Sequence, residues 1–175
     1  MCILSVILIF VRHKNIISYC NRPYKTVEEM NKDLIAKWNS VVKKDDLVYH
    51  LGDFCFGNKE KIKTLVSQLN GKINLVMGNH DNYNIRFYYE AGFNRVYDRP
   101  IVIQDSFILS HKPFVPWESD GRYANIHGHT HDDDGFKTTA RTFNACVEMN
   151  EYFPVEFEEA VNRMRSLEND RNKIN

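Results

Sequence analysis

The sequence predicts an α/β fold, a layered sandwich of mixed sheets flanked by helices. Three observations predict it. Apolar runs of strand length alternate with segments of helical periodicity through the first half. The second half holds more strand, so the sheets should be mixed. Several apolar strands also run directly into a polar residue at their carboxyl end, where open α/β sheets place their sites. A chain of 175 residues, 43% of them hydrophobic, suits one domain over 1–175 with a sizeable core.

The elements follow in order. "MCILSVILIFV" reads as a buried first strand, because buried strands are continuous apolar runs. It is too short for a bilayer span of about 20 residues, and it lacks the basic start and small-residue cleavage site of a signal peptide. "RHKNIISYC" predicts a short helical turn and "NRPYK" a loop. "TVEEMNKDLIAKWNSVV" predicts a helix opened by a capping box, Thr26 with Glu29. Its apolar residues Val27, Met30, Leu34, Ile35, Trp38, Val41 and Val42 follow helical spacing. "DLVYHLGDF" predicts a strand ending in a turn. "NKEKIKTLVSQLNG" predicts a helix capped by Asn58 and stopped at Gly71. "KINLVMGNHD" predicts a strand, "NYNIRFYYEAGF" a short helix, and "IVIQDSFILSH" two strands about a turn. "YANIHGHTH" and "ARTFNACVEMN" predict further strands, "FEEAVNRMRSL" a last helix, and residues 165–175 a frayed, solvated tail.

Basic and acidic residues number 23 each, so no charge excess points to nucleic acid or to disorder. Cys2, Cys20, Cys55 and Cys146 lie far apart with no CxxC pair, which predicts reduced thiols in a cytoplasmic protein. Cys55 and Cys146, in apolar settings, read as inert packing. No membrane partner is expected.

The chemistry concentrates in "IHGHTHDDD", residues 126–134. On an extended segment alternate side chains share a face, so His127, His129 and His131 could converge. Four strands lead to polar ends: Leu51 to Asp53, Val76 to Asn79, His80 and Asp81, Leu109 to His111, and Ile126 to His129 and His131. Oxygen and imidazole donors of this mix suit Mn²⁺, Fe or Zn²⁺, and an open carboxylate-histidine site points to metal-assisted hydrolysis. Taken singly, Asp53 could cap a turn, Asn79 could make an Asx-turn, and His111 could be a loop histidine. His50 reads as a strand histidine held by a backbone hydrogen bond. Asp132, Asp133 and Asp134 read as a solvated turn. The loop around Trp117 fits a pocket wall or surface packing.

Together, Gly52-Asp53, "GNHD" (78–81), Ser110-His111 and "GHTH" (128–131) resemble the calcineurin-like metallophosphoesterases, in the family's motif order and over nearly the whole chain. "HKNIISYCNRP" and "VYHLGDF" resemble a small bacterial or phage branch. The resemblance implies hydrolysis of a phosphate mono- or diester, a small molecule or nucleotide, by metal-activated water. It implies that Asp53 bridges two ions, that Asn79, His111 and His129 complete the second metal site, and that His131 belongs to the first. His80 would lie beside the substrate as transition-state stabiliser or general acid, with Asp81 orienting it. The motif needs only two of the three clustered histidines, leaving His127 structural. The cofactors implied are two divalent ions, Mn²⁺ foremost, with Fe, Zn²⁺ or Ni²⁺ as alternatives.

One motif is missing. The family opens with Asp-x-His at the end of the first strand; aligned on His13, those positions hold Leu8 and Phe10. Neither side chain binds a metal, which leaves room for one ion rather than two. A divergent and catalytically impaired relative acting through interaction, a substitute ligand such as His13, and a frame-shifted N-terminus all fit this departure.

Overall fold

The computed structural model describes residues 2–5, 14–114 and 122–174; Leu8, Phe10, His13 and Trp117 lie outside them. The mixed-sheet sandwich predicted from sequence is present. A five-stranded sheet runs in the order β4 (Arg95–Tyr97), β3 (Lys72–Val76), β2 (Leu47–His50), β1 (Cys2–Ser5), β9 (Val155–Glu156). Its first four strands are parallel, and β9 runs antiparallel to β1. A four-stranded sheet runs β5 (Ile101–Ile103), β6 (Phe107–Ser110), β7 (Ala124–His127), β8 (Thr142–Asn144), with β5 antiparallel to β6 and the rest parallel. Parallel strands in register exit at the same edge. His50 of β2 lies level with Leu75 of β3, and Ser110 of β6 level with His127 of β7. The segments that follow these four strands carry every candidate site residue.

The helices are α1 (Lys14–Tyr19), α2 (Val27–Val41), α3 (Lys59–Val66), α4 (Ile85–Ala91) and α5 (Phe157–Ile174). In α2 the Thr26 hydroxyl accepts from the Glu29 amide at 3.1 Å, and the Glu29 carboxylate accepts from the Lys25 amide at 2.9 Å. The cap therefore closes much as the capping-box spacing requires. Val27, Met30, Leu34 and Trp38 form the buried stripe of this helix. Asn58 and Asn84 cap α3 and α4 in the same way, and Gly92 ends α4 in the left-handed conformation that glycine adopts without strain. Buried residues of both sheets, among them Val48, Leu75, Leu109, Ile126 and Phe143, share one core with Trp38, Phe54 and Tyr88.

Several boundaries differ from the sequence reading. α3 ends at Val66, short of Gly71, because Gln68 and Leu69 turn into tighter bonds to Leu65 and Val66. β4 and β9, of three and two residues, are too short to show an alternation in sequence. β8 stops at Asn144, and the predicted strand continues instead as a 3-10 turn over Val147–Asn150. The expected frayed tail is helical as far as Ile174.

Candidate metal centre

Asp53 follows Gly52 at the end of β2, and both adopt positive φ, 53° and 91°. A Cβ at Gly52 would stand 2.5 Å from the Gly78 nitrogen and 2.6 Å from His111 Nδ1. Only glycine allows the β2 and β3 loops and His111 to approach this closely. The approach is locked by Asp81. Its buried carboxylate accepts from the amides of Asp53 (2.7 Å), Phe54 (3.0 Å) and Gly78 (2.8 Å). Asp53 Oδ1 in turn accepts from the His80 amide at 2.8 Å, leaving Oδ2 directed at His111, 3.3 Å away.

Four donors meet at one point. His111 Nε2 lies 3.1 Å from Asn79 Oδ1, 3.0 Å from His129 Nδ1 and 3.3 Å from Asp53 Oδ2. The other ring nitrogen, Nδ1, is 2.8 Å from the Leu51 carbonyl. A carbonyl only accepts, so Nδ1 carries the proton, and in the neutral ring Nε2 presents a bare lone pair. A ring nitrogen of a second imidazole, an amide oxygen and a carboxylate oxygen face it. A proton placed on Nε2 would serve one of the three, whereas a divalent cation serves all of them. The donors thus fit a metal ion, and Asp53, His111 and His129 offer ligand atoms within 4.8 Å of one another.

The model of one family, described as calcineurin-like phosphoesterase, matches residues 13–167. The chain belongs to that family. Calcineurin-like phosphoesterases are metal-dependent, in keeping with the donor cluster. An uncharacterized protein of Methanocaldococcus jannaschii is 38% identical over 150 residues, covering 82% of this chain and 80% of its own length. The gene 66 protein of Mycobacterium phage L5 is 32% identical over 139 residues, covering 60% of this chain and 66% of its own. The phage relative accords with the small branch that the motifs resemble. Among solved structures, an Aquifex aeolicus protein of unknown function superposes with a TM-score of 0.69 at 26% identity, over 94% of this chain and 98% of its own. Pseudomonas putida nuclease MPE shares the fold, with a TM-score of 0.50 at 19% identity, over 74% of this chain and 61% of its own. The family match begins beyond Leu8 and Phe10, where the opening motif would stand.

Not every residue of the family pattern falls where the spacing suggests. His127, His129 and His131 do not share a face of an extended strand. β7 ends at His127, while His129 and His131 take left-handed φ of 69° and 49°. His127 is buried, with Nδ1 3.0 Å from the Gly128 carbonyl, consistent with a structural role. Only His129 turns into the donor cluster. His131 stands beside it with its Nδ1 2.9 Å from Glu148. Nothing in the sequence marks Glu148, 17 residues downstream, as its neighbour. His50 is buried in β2, but among the described residues neither ring nitrogen has the hydrogen bond expected for it. Its ring packs edge-on to Phe54 instead, 5.1 Å between centroids.

His80 is exposed, and its ring centroid lies 4.4 Å from that of Phe56. Asp81 does not reach that ring with the hydrogen bonds it makes. They go to three backbone amides, those of Asp53, Phe54 and Gly78. Burial pushes the Asp81 carboxyl up to about 6, against the pull of those amides. Burial also raises Asp53, but His111, when its ring carries a proton on both nitrogens, and the His80 amide outweigh it and hold the Asp53 carboxyl below its usual range. Burial and then the neighbouring His111 lower His129, which favours the neutral imidazole that a metal requires. A cavity of about 380 Å³ opens beside the cluster, walled by Asn79, His111, Lys112, Arg99, Pro113 and the half-exposed Phe114. No helix among the described residues is long and apolar enough to cross a membrane.

Proposed function

We propose that this chain is a metal-dependent phosphoesterase that hydrolyses a phosphate mono- or diester. The observation that carries this reading is the convergence of Asp53 Oδ2, Asn79 Oδ1, His111 Nε2 and His129 Nδ1, four ligand atoms that one proton cannot satisfy. A divalent ion held there, Mn²⁺ foremost, supplies Lewis acidity, neutralising phosphoryl oxygens and acidifying water. Asp53 has the two oxygens needed to bridge a second ion, toward which His131 would contribute. His80, fixed through its backbone to Asp53 and exposed at the rim, stabilises charge on the phosphoryl group or protonates the leaving oxygen. Asp81 keeps the two loops in contact. Lys112 and Arg99 draw the anionic ester to the cavity, and Phe114 with Pro113 faces its organic group.

Leu8 and Phe10 favour a rival reading, in which a relative without hydrolytic activity binds metal or phosphate and acts through interaction. Hydrolysis of an aryl phosphate monoester and diester with added Mn²⁺ separates the two. The phosphoesterase reading expects turnover that depends on Mn²⁺ and is lost in Asp53→Asn. Mn²⁺ binding without turnover above the Asp53→Asn control would favour the rival.

A further inference from the structure

The family motif says nothing of Glu148 or Arg22, yet Glu148 reaches His131 and Arg22 holds Glu148. Glu148 lies in the 3-10 turn after β8, and Arg22 follows α1, 126 residues away in sequence. Both side chains are almost fully buried. The Arg22 guanidinium donates to Glu148 Oε1 through Nε at 3.0 Å and again through Nη2, and its Nη1 reaches Met30 Sδ of α2 at 3.2 Å. The same Glu148 oxygen faces His131 Nδ1 at 2.9 Å. We propose that Glu148, anchored by Arg22, is the positioning residue that sets the tautomer and direction of the His131 ring for metal binding. The proposal rests on the reading of His131 as a metal ligand.

The proton assignment follows from the contacts. An ionised carboxylate only accepts, so His131 Nδ1 carries a proton, and in the neutral ring Nε2 keeps its lone pair. A ligating histidine has this form, commonly fixed by a carboxylate on its other nitrogen. A purely structural role accounts poorly for the arrangement. A buried ion pair is weak evidence for stability, and here both partners use one oxygen while Oε2 is buried without a hydrogen-bond partner among the described residues. The backbone of His131 is held as well. Asn144 Nδ2 donates to the His131 carbonyl at 3.0 Å and to Thr130 Oγ1 at 3.1 Å. A left-handed non-glycine residue persists where its surroundings over-determine it. Here backbone and ring are both fixed, and what they fix is the direction of one imidazole.

Cys20 is the third member of this group, with a ligand atom within 4.8 Å of those of His131 and Glu148. The three could in principle hold an ion directly. Arg22 argues against it: its charge already balances that of Glu148.

The test is Mn²⁺ binding to chelator-stripped protein, followed by calorimetry. The His131-dependent ion is defined as the binding lost in His131→Ala. Glu148→Ala leaves Arg22 buried and unpaired, so the informative variant is Arg22→Met with Glu148→Leu, which exchanges the pair for apolar groups at little cost to folding. The proposal expects metal-free thermal stability near wild type and affinity for that ion lower by about 10- to 100-fold. In a His131→Ala background the same pair of substitutions should have no further effect. Unchanged affinity in the double variant, with His131→Ala still weakening the ion, overturns the proposal alone. Wild-type protein that binds no ion, or that binds as well without His131, overturns the metal-ligand reading and the proposal with it. A thiolate charge-transfer absorption in Co²⁺-loaded protein, lost in Cys20→Ser, would make the cluster a direct metal site and also overturn the positioning role.

Discussion

His50 gives a prediction that does not depend on metal chemistry. Its ring is fully buried between Trp38 and Phe54, with centroid separations of 6.5 and 5.1 Å. Burial, the largest cause, lowers its pKa from 6.5 to about 3. The folded protein therefore keeps His50 neutral while the unfolded chain takes up a proton. The resulting stability is complete above pH 6.5, falls as pH drops toward 3, and is level below that. Each unit of this window costs up to about 1.4 kcal/mol, so the loss from His50 between pH 7 and pH 5 is about 2 kcal/mol. The assay is urea unfolding of chelator-stripped wild type and His50→Leu at the two pH values. The variant should lose about 2 kcal/mol less than wild type over the interval. At pH 7 the two should be close. Removing a buried N–H that has no acceptor among the described residues relieves about 1–3 kcal/mol, and the change of shape costs under about 1.5 kcal/mol. Equal losses in both proteins between pH 7 and pH 5 would refute the argument.

Other predictions bear on the centre itself. In Gly78→Ala the new methyl would stand 2.5 Å from the Asp53 amide nitrogen; thermal denaturation should show a loss of about 1–3 kcal/mol, and calorimetry weaker Mn²⁺ binding. Asp81→Asn substitutes an N–H for one of the oxygens that hold Asp53, Phe54 and Gly78, and unfolding should show about 1–3 kcal/mol lost together with reduced metal affinity. Phe114→Ala should raise KM for aryl esters with little change in kcat, because Phe114 lines the cavity and is not among the metal donors; a fall in kcat alone would contradict its place there. Leu8→Asp with Phe10→His should raise Mn²⁺-dependent turnover if those positions supply the missing opening motif, and an unchanged rate would show that the centre works without it.

What the sequence shows, and what it hides, divides along physical lines. The cap at Thr26, the buried stripe of α2 and the strands leading to Asp53, Asn79 and His111 are local patterns, legible because periodicity and capping depend on neighbours in sequence. The tight approach of Gly52, Gly78 and His111 is legible only as a motif, since no local rule brings three separate segments together. The histidine run misleads. Alternation holds on a strand, but β7 ends at His127, and left-handed backbone then turns His129 and His131 in different directions. Glu148 and Arg22 cannot be read at all, because tertiary packing brings Glu148 to His131 across 17 residues and Arg22 to Glu148 across 126. The missed strands β4 and β9 are held by their partners in the sheet rather than by any pattern of their own.

The central claim is that Asp53, Asn79, His111 and His129 hold an ion on which phosphoester cleavage depends. The most direct test strips the protein with a chelator, adds Mn²⁺ in steps, and follows bound ion and diester hydrolysis in the same samples. The account predicts that hydrolysis is absent from stripped protein, rises in proportion to the ion bound, and fails with the binding in Asp53→Asn and His111→Ala. Hydrolysis that persists undiminished after stripping, or saturated binding with no hydrolysis, would contradict it.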